Sequence, residues 1–135
     1  MNSPTQRSLK RLRADGWFVA ITERWNPFAK CRQDLFGFID LLCLKEDIIL
    51  AVQTTSGSNV AARLAKMRDN PAVRLWLQSP ARKVVIHGWR KIGPRGKVKH
   101  WECREIEVTA DSFAEALPNP VQVQPEPQLS LLAAP

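Results

Sequence analysis

The chain has 135 residues, 44% of them hydrophobic and 24% charged, and its 20 Lys and Arg against 13 Asp and Glu leave a net charge of +7. That is one domain's worth of chain with enough apolar residues for a core, which excludes a wholly disordered chain, an acidic buffer protein and a multidomain enzyme. The basic balance points to an anionic partner.

Residues 5–14, TQRSLKRLRA, predict a short amphipathic helix capped by Ser3 or Thr5 and stopped at Asp15-Gly16. Leu9 and Leu12 share one face; Arg7, Lys10, Arg11 and Arg13 form a basic stripe on the other. Residues 17–22, WFVAIT, predict a strand. The polar stretch 23–34, with Pro27 in its middle, reads as an irregular loop. Strands follow over 36–44 and 48–54, joined closely enough for a hairpin. After the turn at 56–59, residues 60–68 predict a helix capped by Ser58 or Asn59. Asn70-Pro71 starts a second short helix that runs through Trp76 and Leu77. Strands over 82–89 and 98–108 flank Gly93-Pro94-Arg95-Gly96, a hairpin with a basic tip. From Pro118 the composition turns Pro-rich and patternless, as in a flexible tail. The expected architecture is α/β: a mixed central sheet flanked by helices in a domain over residues 1–112, with a tail over 113–135.

Charge is divided along the chain. All 20 basic residues lie at or before Arg104 against 8 acidic ones, a balance of +12, and residues 105–135 carry five acids and no base. A basic body of this kind suits nucleic acid, because neutralising phosphates releases counterions. Cys31, Cys43 and Cys103 form no CxxC pair, so buried reduced thiols are expected rather than zinc ligands. No apolar run approaches a membrane span and no leader-like segment opens the sequence, so no membrane partner and a cytoplasmic location are expected.

Asp40 is the lone polar residue in the run IDLLCL, and Gln53 ends the run IILAVQ in the same way. An unpaired buried carboxylate is costly, which marks Asp40 as a functional candidate. Gln53 and Thr55, two apart on a strand, share one face. An Asp ahead of a polar pair with that spacing resembles the PD-(D/E)XK nuclease superfamily, in particular its small archaeal and phage Holliday-junction-resolvase-like members. The likeness spans residues 3–68: the Arg-rich helix, DGWFVAI, GFIDLL, IILAVQTTS and the helix after it. It implies a restriction-endonuclease-like sheet, a DNA substrate, Mg²⁺ or Mn²⁺ as cofactor and a symmetric homodimer that cuts two strands. Gln6, Gln53 and Thr55 stand where that family offers Glu, Glu and Lys.

The implied site therefore has Asp40 as metal ligand, helped by Glu23 or Asp34, with Gln53 as a neutral ligand. Lys66 or Arg63 replaces the missing cation beside Thr55. A plainer account stays open for each: Gln53 satisfies strand-end backbone groups, Glu23 pairs with Arg24 at the surface, and Lys66 is a solvated charge. Ser56, Ser58 and Asn59 precede a helix, where free N–H groups favour phosphate. Arg24, Lys30 and Arg32 alternate with Trp25 and Phe28, a pattern suited to backbone contact and base stacking. Arg7, Arg11, Arg95 and Lys97 complete the expected DNA contacts.

In the tail, Gln128-Leu129-Ser130-Leu131-Leu132 resembles the peptide that binds the bacterial sliding clamp. Gln128 is its polar contact and Leu129, Leu131 and Leu132 its apolar part, with the last two as anchors. The expected function is a metal-dependent DNA endonuclease acting on branched or replication-associated DNA and recruited by the clamp. The alternatives are an inactive nuclease-fold protein that binds DNA or the clamp, and a subunit whose site a partner completes.

Overall fold

A computed structural model describes residues 3–116. Its elements in chain order are α1 (Pro4–Ala14), β1 (Phe18–Ile21), β2 (Arg24–Asn26), β3 (Cys31–Gln33), β4 (Leu41–Lys45), β5 (Ile48–Ser56), α2 (Val60–Arg68), α3 (Pro71–Trp76), β6 (Arg82–Ile92) and β7 (His100–Val108). The fold is α/β. A five-stranded mixed sheet runs in the order β1-β4-β5-β6-β7, and β2-β3 is a separate two-stranded hairpin. β5 and β6 pair in parallel through the α2–α3 crossover, while the other neighbours pair antiparallel. Among the described residues no helix is long and apolar enough to cross a membrane.

Helix α1 starts where the sequence says it should. The Ser3 hydroxyl accepts from the Gln6 N–H at 3.2 Å, and Pro4 takes the first turn, where its missing N–H costs nothing. Its buried stripe is Thr5, Ser8, Leu9 and Leu12, the i, i+3, i+4, i+7 set of one helix face. The apolar half packs on Val19, Leu41, Cys43, Leu50, Val52 and Val85. The opposite sheet face is covered by Val60, Met67 and Val73, which pack with Phe38, Ile39, Ala51, Val84, Ile86 and Val108. Both faces of β5 are therefore buried. By alternation Thr54 points with Leu50 and Val52 toward α1, and Gln53 and Thr55 point with Ala51 toward α2.

Three segments depart from the sequence reading. Residues 23–34 hold the β2–β3 hairpin rather than an irregular loop. Its turn is built by Asn26, whose side-chain oxygen accepts from the N–H groups of Phe28 and Ala29 at 2.9 and 3.1 Å. The strand expected over 36–44 begins only at Leu41, because Phe36 (φ 56°) and Gly37 (φ 83°) reverse the chain and Leu35 bridges Ile39. Asp40 thus sits at the mouth of β4, not within it. The body also extends past residue 112: a 3-10 turn covers Ala110–Ala116, and Phe113 joins the α2–α3 core.

Of the thiols, only Cys43 is fully buried; Cys103 is half-buried and Cys31 exposed, which corrects the expectation of three buried cysteines. Burial pushes the Cys43 thiol up to about 12.

Candidate metal centre

Extending the β4–β5 register by one residue sets Asp40 opposite Gln53, at the carboxyl end of β5. That end is where open α/β sheets leave a crevice for ligands. A cleft of about 980 Å³ opens there. β5 supplies Gln53, Thr54, Thr55 and Ser56; α1 supplies Gln6; α2 supplies Arg63 and Lys66; and the ends of the β2–β3 hairpin supply Glu23, Arg32 and Asp34.

Three carboxylates converge. One oxygen each of Glu23, Asp34 and Asp40 lies within 4.8 Å of the other two. Sequence reasoning left Glu23 and Asp34 as alternatives; the fold brings both to Asp40, because the hairpin leaves and re-enters the cleft at those two residues. Glu23 is faced by Arg32 at 3.6 Å.

Asp40 is 2% exposed, and its Oδ2 is held by three donors. Gln53 Nε2 donates at 2.8 Å, the Thr54 N–H at 2.8 Å and the Thr54 hydroxyl at 3.2 Å. With the Thr54 proton committed to Asp40, the hydroxyl of Thr5 donates to Thr54 Oγ1 at 2.8 Å, so α1 braces the carboxylate from behind. Burial above all raises the Asp40 pKa to about 8; the hydrogen bond with Asp34 and the charges of Asp34 and Glu23 push the same way, and the Thr54 N–H opposes them.

Gln53 does not play the part expected of it. Its amide donates to Asp34 Oδ2 at 3.0 Å as well as to Asp40, so it presents N–H groups, not its oxygen, to the carboxylates. Asp34 Oδ2 and Asp40 Oδ2 are both acceptors and attract the donor end of an amide, and with no acidic side chain on β5 the amide ties the two together. Thr55 offers no charge, but its hydroxyl accepts from Arg63 Nε at 3.5 Å and leaves that guanidinium on the cleft wall. Lys66 lines the same wall.

The other expected contacts are spread more widely. Ser56 and Asn59 line the main cleft. Asn59 is the N-cap residue of α2, one of the two expected there, but its side chain makes no capping bond. Ser58 lies in a neighbouring cleft with Ser56, Gly57, Trp89, Arg90 and Arg104. Arg24 and Lys30 are exposed on the hairpin. Arg7 stacks 3.5 Å over the ring of Trp101, and Arg11 is on the exposed face of α1, so neither joins the cleft. Arg95 and Lys97 sit in the exposed β6–β7 turn, apart from it as well. Gln128, Leu129, Leu131 and Leu132 lie outside the described residues.

Thr54 and Thr5 were missed. The signal was present: Thr5 and Ser8 continue the helical stripe of Leu9 and Leu12, so two polar groups had to face the sheet. Compared with family models, curated proteins and solved structures, the chain gives no match, so the site is read from its geometry alone.

Proposed function

We propose that the chain is a metal-dependent DNA endonuclease of the PD-(D/E)XK kind. The observation that supports this reading is the convergence of Glu23, Asp34 and Asp40 in a cleft whose wall carries Arg63 and Lys66. Three hard oxygen donors suit Mg²⁺ or Mn²⁺, which favour carboxylates over nitrogen or sulfur. These three side chains would hold the ion. When bound, such an ion polarises a phosphoryl oxygen and lowers the pKa of coordinated water.

The chain's own residues supply the rest. Asp40 would have to release its proton to serve as a ligand. Thr54 and Thr5 fix the direction of Asp40, and Gln53 keeps Asp34 turned to the same point. Arg63 and Lys66 bring positive charge to a phosphate in the cleft, the part that a strand lysine plays in the nucleases this sequence resembles. Ser56 and the free N–H groups ahead of α2 offer hydrogen bonds to the neighbouring phosphate.

Supercoiled plasmid incubated with the protein and Mn²⁺ is expected to convert to the nicked form, and excess EDTA to stop the conversion. An unchanged plasmid with Mn²⁺ in hand would sink the reading. A second reading, an inactive nuclease-fold protein that binds DNA, draws on Gln53, whose amide already bridges two of the three carboxylates. It expects salt-sensitive DNA binding without nicking.

The tail peptide adds a proposed partner, the sliding clamp. Immobilised clamp is expected to retain the full chain and to lose it when Leu131 and Leu132 are both changed to Ala. Equal retention of both chains would remove the clamp from the proposal.

A further inference from the structure

The β2–β3 hairpin is the part of the molecule that the acidic centre does not explain. Both ends are anchored in the cleft, at Glu23 and at Arg32, Gln33 and Asp34, while its tip projects away. Phe28 at that tip is 96% exposed, and Trp25 on the outgoing strand is 57% exposed. Two large rings left in water on so short an element gain nothing for folding.

The tip is nonetheless fixed. Asn26 bonds the N–H groups of Phe28 and Ala29, Pro27 sets the backbone between them, and Lys30 (φ 54°) completes the reversal. Phe28 is thus presented at a defined place. From Arg24 to Gln33 the hairpin carries Arg24, Lys30 and Arg32 and no acid. Arg32 is answered by Glu23, but exposed rings set beside Arg24 and Lys30 match a ligand with flat apolar faces on a polyanionic backbone, whereas an apolar protein surface would leave those two cations unanswered.

We infer that the hairpin is a base-stacking site: Phe28, with Trp25 beside it, holds an unpaired nucleobase while Arg24 and Lys30 take the flanking phosphates. This rests on DNA being the ligand of the cleft. The hairpin's length also gives the site a register. The three residues of β2 carry the chain from Glu23 in the cleft about 10 Å toward the tip. That is on the order of three base-pair steps of duplex, at roughly 3.4 Å each. DNA with unpaired bases about three steps from the phosphate at the acidic centre would meet both sites at once.

The test is binding in EDTA, where no cutting occurs, of a fluorescent duplex and of the same duplex with a three-base bubble containing 2-aminopurine. Wild type is expected to bind the bubble about tenfold tighter and to quench the 2-aminopurine, as one or two stacked bases would. Phe28→Ala is expected to bring the ratio close to one and abolish the quench, and Trp25→Ala to lower the ratio partway. Arg24→Ala is expected to weaken both ligands alike. Equal binding of the two DNAs by wild type overturns the inference, as does an unchanged ratio in Phe28→Ala, which would assign the rings to a protein contact. Both rings are exposed, so their removal leaves the core intact; Asn26→Ala, which frees the turn without touching either ring, is a second arm expected to lower the ratio. Bubble preference without any Mn²⁺-dependent nicking would overturn the nuclease reading and leave the stacking site standing.

Discussion

Asp40→Asn is expected to lower Mn²⁺-dependent nicking by about 100-fold or more, since loss of even an outer-shell partner of a metal ligand costs about 10–100-fold. The variant should still fold. Asn keeps an oxygen for the Thr54 N–H and hydroxyl, and it removes a charge that the interior resists. The sign of the pH effect follows from the raised pKa. A carboxyl that rises from 3.8 unfolded to about 8 folded contributes stability that is complete at low pH and lost as pH climbs through that window. Without metal, wild type should therefore lose thermal stability between about pH 4 and pH 8, and Asp40→Asn should not. At pH 8 the variant is expected to melt several degrees higher. The same proton opposes Mn²⁺, so apparent affinity should rise toward pH 8, approaching about tenfold per pH unit for one proton released. A variant that nicks like wild type, or a metal affinity flat from pH 6 to pH 8, would remove Asp40 from the centre.

Ser8→Ala carries the largest expected loss of stability. Ser8 is completely buried and sits between Trp89 Nε1 at 2.8 Å and His87 Nδ1 at 2.8 Å; His87 Nε2 in turn meets Glu105 Oε1 at 2.9 Å. Burial first, and the charge of Arg11 with it, lower the His87 pKa against the pull of Glu105, so the ring is neutral at pH 7. Each proton then has one place. Trp89 donates to Ser8, Ser8 donates to Nδ1, and Nε2–H donates to Glu105. Removing the hydroxyl strands a buried acceptor and a partly buried donor, at about 1–3 kcal/mol each. A melting temperature lower by on the order of 10 °C is expected, at about 4 °C per kcal/mol for a chain of this size. Lys10→Ala, on the exposed face of the same helix, should change stability by less than about 0.5 kcal/mol. A Ser8→Ala loss no greater than that of Lys10→Ala would mean that the two rings find other partners. The lowered pKa gives this cluster the opposite pH sign to Asp40. Its contribution is whole above about pH 6.5 and drains away as the medium becomes more acid.

Of the long strands, β5 was legible as a sustained apolar run down to its polar end, and β6 and β7 as two runs flanking a Gly-Pro-Arg-Gly turn. The hairpin was not, because three-residue strands are too short to set up an alternation, and the Asn-Pro pair reads as a break rather than a turn joining two strands. The start of β4 was misplaced because FGFIDLL has strand composition throughout, while the reversal depends on two consecutive positive φ values, only one of them at a glycine. Asp40 stood out as a lone acid among apolar neighbours. What Gln53 does with its amide could not be read from spacing, since the choice between its two ends is made by the carboxylates that the hairpin delivers. His87 gave no signal at all: its partners come from α1 and β7, far off in sequence.

That distance has a consequence for the order in which the protein becomes competent. Helix α1 is synthesised before the sheet, yet its two inward hydroxyls find their partners 49 residues later at Thr54, and 79 and 81 residues later at His87 and Trp89. Such non-local closures come late and slow folding. A nascent chain that already displays the basic face of α1 thus lacks the braced carboxylate until most of the sheet has been made.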